Sequence, residues 1–170
     1  MSAVDLLIIA SAVASLGTAL GAVGLTIGEV LYARALSDGK LEECEKTYVR
    51  ATFWSLRSGM TLFLAGSIGT ILIEYLAWDA PHTALTSSFW ATLLLALVIV
   101  VSGWGLVRGV FPWTLASSAA LTAWWTIFAL SLVRDLSLTP LSILLGYALF
   151  TGVIFGARVI IHEHFRSSRA

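Results

Sequence analysis

Cysteine, proline and charge are all scarce in this chain. Its single cysteine, Cys44, excludes an intrachain disulfide, and no Cys/His cluster has the spacing of a zinc or iron–sulfur site. No metal and no cofactor is therefore expected. Of the three prolines, Pro81 and Pro112 fall between apolar runs and Pro140 at the opening of the last one, where a missing backbone donor costs least. Charged residues make up 12% of the 170 positions, where a soluble domain carries roughly a quarter. Ten basic residues against ten acidic ones leave no net charge, so nothing points to nucleic acid or to an acidic substrate. A glycine-rich phosphate loop, a Ser/His/Asp set and a pair of catalytic acids are also lacking. Cys44 sits among Glu42, Glu43 and Glu45, which hold a thiol protonated rather than activate it. A non-enzymatic role is expected.

What the chain has is apolar length. Hydrophobic residues make up 58% of it and the mean hydropathy is +0.91. Runs of about 20 residues, enough to cross roughly 30 Å of hydrocarbon, occur near 6–28, 58–77, 88–107, 114–133 and 139–161. The reading is an all-α polytopic membrane bundle of five transmembrane helices, one membrane domain over 1–170, with the lipid bilayer as its solvent. Leu6 to Ala14 has the greasiness of a secretory leader but no basic residues before it, carries Asp5, and continues far past a leader's usual length. It reads as a retained span. Span three, Phe89 to Val107, is the most uniformly apolar and is expected to show the most surface to lipid.

Charge placement orients the bundle. Arg34, Lys40, Lys46, Arg50, Arg57, Arg108, Arg158, Arg166 and Arg169, nine of the ten basic residues, fall on the side shared by the first connection, the third connection and the C-terminus. By the positive-inside rule the N-terminus is outside and the C-terminus cytoplasmic, which suits a prokaryotic cytoplasmic (inner) membrane. Trp78 and Trp90 then mark the outer boundary, and Trp54, Trp104 and Trp113 the inner one. Spans one and two run past the bilayer as a long cytoplasmic hairpin turning at Ser37-Asp38-Gly39.

The first span is divided into stripes. Ala10, Ala14, Gly17, Gly21, Gly24 and Gly28 recur at steps of four and three, which leaves one helical face almost bare and open to backbone contact. Gly59, Gly66 and Gly69 of span two are its natural mates, and Ala148, Gly152 and Gly156 repeat the device in span five. A possible homo-oligomer or a partner membrane subunit follows from so many small faces. Beside the bare stripe of span one runs a polar one, Ser11, Ser15, Thr18 and Thr26.

Candidate site residues lie mostly at the inner end. Glu29 is a carboxylate about one turn inside or at the inner boundary, where an unpaired charge costs several kcal/mol. Counting outward from a turn at Gly39 sets it level with Arg50. It is either half of an ion pair that staples the hairpin or a proton- or cation-binding carboxylate. Lys46, Arg50 and Arg57 fall on one stripe of the second helix, Arg57 roughly two turns deeper than Arg50, with Arg108 and Arg158 at comparable depth on spans three and five; these either snorkel to headgroups or converge on an anionic group. His162-Glu163-His164 resembles a ligand pair, but residues two apart on a helix point away from each other. Trp124 and Trp125 lie midway along span four, where indole N–H groups need acceptors. Ser117, Ser118, Thr122, Ser15 and Thr18 are the candidates, and the alternative is a pocket wall for a flat apolar ligand.

Together these features suggest a transporter- or channel-like component for a small solute or ion. The alternatives are an accessory or assembly subunit, whose bare stripe would face outward, and a membrane enzyme or sensor with a lipid-soluble ligand beside Trp124 and Trp125.

Overall fold

The computed structural model describes residues 2–38, 43–78, 83, 86–132 and 139–167, without the side chains of 33, 35–38, 43–50, 53, 107 and 161–167. The turn at 39–42, the side chains of Cys44, Lys46 and Arg50, Arg134 and Asp135, and the His162-Glu163-His164 side chains lie outside the described residues. The described residues form α1 (Ala3–Asp38), α2 (Glu43–Trp78), α3 (Ser87–Val107), α4 (Trp113–Leu132) and α5 (Pro140–Ser167), with no strand among them. Each helix holds a stretch long and apolar enough to cross a bilayer: Ala3–Tyr32, Trp54–Trp78, Ser87–Leu106, Trp113–Leu132 and Pro140–Ile160. The protein is a membrane-embedded, all-helical bundle.

Local chemistry sets the helix ends. The backbone N–H of Ser2 donates to Asp5 Oδ2 at 2.8 Å and that of Asp5 to Ser2 Oγ at 3.2 Å. This reciprocal capping box starts α1 ahead of the apolar run. Thr86 caps α3 by accepting the Phe89 N–H at 3.4 Å. At its other end Gly109, at φ 68°, takes the left-handed conformation a C-terminal cap requires. The N–H groups of Gly109 and Val110 there close on the carbonyls of Leu106 and Gly105 at 3.1 and 2.8 Å. Phe111 folds back onto Gly105, where any side chain would strike its ring, and Pro112 leads into α4. Thr139 caps α5 through the Ser142 N–H at 3.3 Å, with Pro140 at the first helical position. The end of α2 is tied by Glu74, 6% exposed. Its carboxylate accepts the Thr83 backbone N–H at 2.7 Å and the Thr83 hydroxyl.

The bare stripe of α1 meets α2, as its residue types imply. A methyl group built on Gly17 would sit 2.6 Å from the Gly59 carbonyl oxygen, and one on Gly59 2.7 Å from the Gly17 oxygen. One on Gly66 would lie 2.6 Å from the Ala10 oxygen. These are places where helices touch through backbone. Further along, Gly24 and Gly28 receive Ser55 and Thr52, and Ser55 Oγ donates to the Leu20 carbonyl at 3.0 Å. Gly21 also faces α4, whose Trp124 ring lies on it, with Cδ2 2.5 Å from where a methyl would be.

The helix with the largest buried share is α4. It lies against α1, α3 and α5, and 39% of its span is buried against 28% for α1. Ala123, Trp124 and Ile127 join Phe63, Leu95 and Ile143 on one side and Ala22 and Leu25 on the other. Its hydroxyls are satisfied within the helix: Ser118, Thr122 and Thr126 each donate to the carbonyl four residues back at 2.7 Å. The expectation for span three is corrected. The helix showing most surface is α5, with 6% of its span buried against 28% for α3, because α5 packs along one edge of the bundle against α3 and α4 only.

Candidate functional site

The bundle carries one ion pair at membrane depth that the described residues define, and three helices build it. Glu29 comes from the apolar stretch of α1, Arg158 from that of α5, and Ser117 from the first turns of α4. Arg158 Nη2 stands 2.9 Å from Glu29 Oε2. Arg158 Nη1 donates to Ser117 Oγ at 2.5 Å. The arginine and carboxylate side chains are 20% and 14% exposed, so mutual neutralisation is what makes either charge tolerable there.

Two details give the pair its character. Arg158 engages one carboxylate oxygen of the two, Oε2, and the Ser117 hydroxyl, which accepts from Arg158, is a side-chain partner of the Glu29 carboxylate as well. Among the described residues, moreover, α1 and α5 nowhere bring Cα atoms within 8 Å of each other. The link between them is made by the reach of the long arginine side chain past α4. One turn nearer the boundary, Tyr32 of α1 stacks on Trp113 of α4 with ring centroids 4.6 Å apart. These positions follow from register. Glu29 and Tyr32 are three apart on α1, Trp113 and Ser117 four apart on α4, so each pair shares a face.

Of the five residues expected to form an inner polar cluster, the structure thus brings together Glu29 and Arg158. Arg108 lies on the surface with its guanidinium carbon 5.2 Å from the centroid of Trp104, a cation–π contact at the bundle's edge. Arg57 is exposed on α2, and the Arg50 side chain lies outside the described residues. Among the described residues the partner of Glu29 comes from α5. The apolar runs place Glu29 and Arg158 at the same end of the bundle; what they do not hold is which helices are neighbours.

The polar stripe of α1 is largely occupied. Thr18 is fully buried and its hydroxyl donates to the Ser15 carbonyl at 2.8 Å. Thr26 donates to the Ala22 carbonyl at 2.7 Å and accepts the Trp125 indole N–H at 3.1 Å. Ser11 and Ser15 are half-buried. The Trp125 acceptor is therefore Thr26, one turn or more from each candidate named from sequence. Trp124 is 1% exposed and its indole fills the space above Gly21, while Trp125 turns to the surface at 43% exposure. The adjacent tryptophans thus serve two different contacts.

No protein family, curated protein or solved structure matches this chain, so its function is read from the bundle and the ion pair.

Proposed function

We propose that this protein is a non-enzymatic transport component that handles a small cation, with the Glu29 carboxylate as exchange site. In this reading Arg158 is the built-in counter-charge that holds the carboxylate when no cargo is bound. The observation that carries the proposal is a largely buried carboxylate within an apolar stretch long enough to span a membrane, held by an arginine through one of its two oxygens. Ionisable groups at this depth are costly and mark ion or proton pathways far more often than lipid-facing surface. A purely architectural pair would gain most from saturating both oxygens.

The N-out, C-in orientation sets the site toward the cytoplasmic leaflet of a prokaryotic inner membrane, beneath the continuation of α1 and α2 as a hairpin. Fully buried Thr18 closes the hydroxyl stripe on the far side, so the arrangement is one of access from a single side. An accessory role resting on the bare stripe of α1 requires that stripe to face outward, and α2 and α4 cover it.

The test is reconstitution into liposomes with currents recorded on a solid-supported membrane under imposed gradients of protons, sodium and organic cations. The wild type is expected to move charge with at least one of these, and Glu29→Gln to lose the signal at least tenfold while keeping its elution profile and helix content. Equal currents from the two proteins would overturn the proposal.

A further inference from the structure

We infer that the cargo is a small planar cation bearing several N–H groups, a guanidinium or amidinium, which binds Glu29 in place of the Arg158 side chain. This rests on the transport reading above and names its substrate class.

The site already holds a group of that chemistry. Two nitrogens of one guanidinium are accepted by two different oxygens, Glu29 Oε2 at 2.9 Å and Ser117 Oγ, so the acceptors are spaced for a flat N–H fork. The resident fork reaches one carboxylate oxygen, Oε2, and gives no N–H to Oε1. Arg158 is tethered to a helix whose backbone stays more than 8 Å from α1 among the described residues. A free guanidinium carries no tether and offers paired N–H groups to both oxygens of a carboxylate, the stronger bidentate geometry. Exchange therefore replaces a one-oxygen contact by a two-oxygen contact and releases Arg158 toward the nearby boundary.

The surroundings favour the same class. Hard metal cations are held by about six or more oxygens, whereas the site offers one carboxylate and one hydroxyl. Among the described residues no group of three or more His, Cys, Asp or Glu side chains stands ready to hold a metal. A quaternary ammonium has no N–H to give Oε1. The Tyr32 and Trp113 rings, one turn toward the boundary, add flat π-faces of the kind on which planar cations stack.

The experiment uses the full chain in nanodiscs and in liposomes, with methylguanidinium, sodium and tetramethylammonium at millimolar concentrations as probes. Methylguanidinium is expected to raise the melting temperature saturably and to drive current, at concentrations at least tenfold below those at which the other two act. Glu29→Gln should abolish both effects. Arg158→Gln removes the tethered competitor and should tighten methylguanidinium binding about tenfold, a change a merely structural arginine would not produce. Should Arg158→Gln misassemble, Arg158→Lys, which keeps the charge but not the fork, should give the same direction with a smaller change. Glu29-dependent proton or sodium current that methylguanidinium neither supports nor inhibits would sink the substrate class while leaving the transport reading standing. Absence of any Glu29-dependent current would remove both.

Discussion

Helix α1 meets its neighbours in two opposite ways. Against α2 the approach is through bare backbone at Gly17 and Gly59 and at Ala10, Ala14 and Gly66. Toward α5 the backbones stay apart, and the ends of two long side chains make the connection. The first contact is many weak dispersion terms at close range, which no single event can undo. The second is one charged link, strong where it is dry. Close backbone contact and a single side-chain contact thus occupy the same helix.

The largest effect is expected where backbone meets backbone. Gly17→Leu or Gly59→Leu inserts a side chain where even a methyl has no room. Overpacking of this kind costs about 3 kcal/mol or more, seen as loss of the monodisperse peak in detergent. Retention of that peak at wild-type yield would mean the helices do not touch there.

Next comes the charged link. Arg158→Ala leaves Glu29 buried without its counter-charge and should destabilise by about 3–5 kcal/mol in an equilibrium unfolding assay. The Glu29→Gln/Arg158→Gln double variant should cost less than the sum of its singles. Additive costs would show that the two side chains act independently. At the opposite end of the bundle, Thr83→Val strips one donor from buried Glu74. The expected loss is about 1.5 kcal/mol, with faster proteolysis of the connection after α2 as its readout.

Smaller still is Thr26→Val, which removes the acceptor of the Trp125 indole. Interhelical hydrogen bonds in bilayers are worth about 0.6 kcal/mol, and a shift in tryptophan emission should accompany the change. The smallest effect belongs to α5. A methyl on Gly152 meets nothing within 4 Å, so Gly152→Leu should stay within about 0.5 kcal/mol of wild type. A large loss there would reveal a packed neighbour on that face and extend the α1–α2 style of contact to α5.

The mating of the α1 stripe with Gly59 and Gly66 was legible in the chain because small residues at helical spacing let two backbones approach, while the same device at Gly152 and Gly156 of α5 meets no neighbour within 4 Å. The Ser2–Asp5 capping box is equally a local pattern, and so are the Thr86 cap and the turn at Gly109. The partner of Glu29 was not legible. Counting from the first turn nominates Arg50, whose side chain lies outside the described residues; the partner among the described residues is Arg158, 129 positions away in the chain. The large buried share of α4 was hidden for a related reason: Ser117, Ser118 and Thr122 read as polar, yet Ser118 and Thr122 donate their hydrogen bonds to their own helix and are buried with the alanines around them.

Five apolar lengths, their caps, and the bare face of the first span are properties of segments some twenty residues long, and hydropathy and side-chain size specify them without reference to anything distant. Helix adjacency is different, since equally apolar spans are interchangeable to the lipid and only their mutual fit selects neighbours. That selection brought α5 to the edge of α4, carried the Arg158 guanidinium to a carboxylate on α1, and set it on one oxygen of the two.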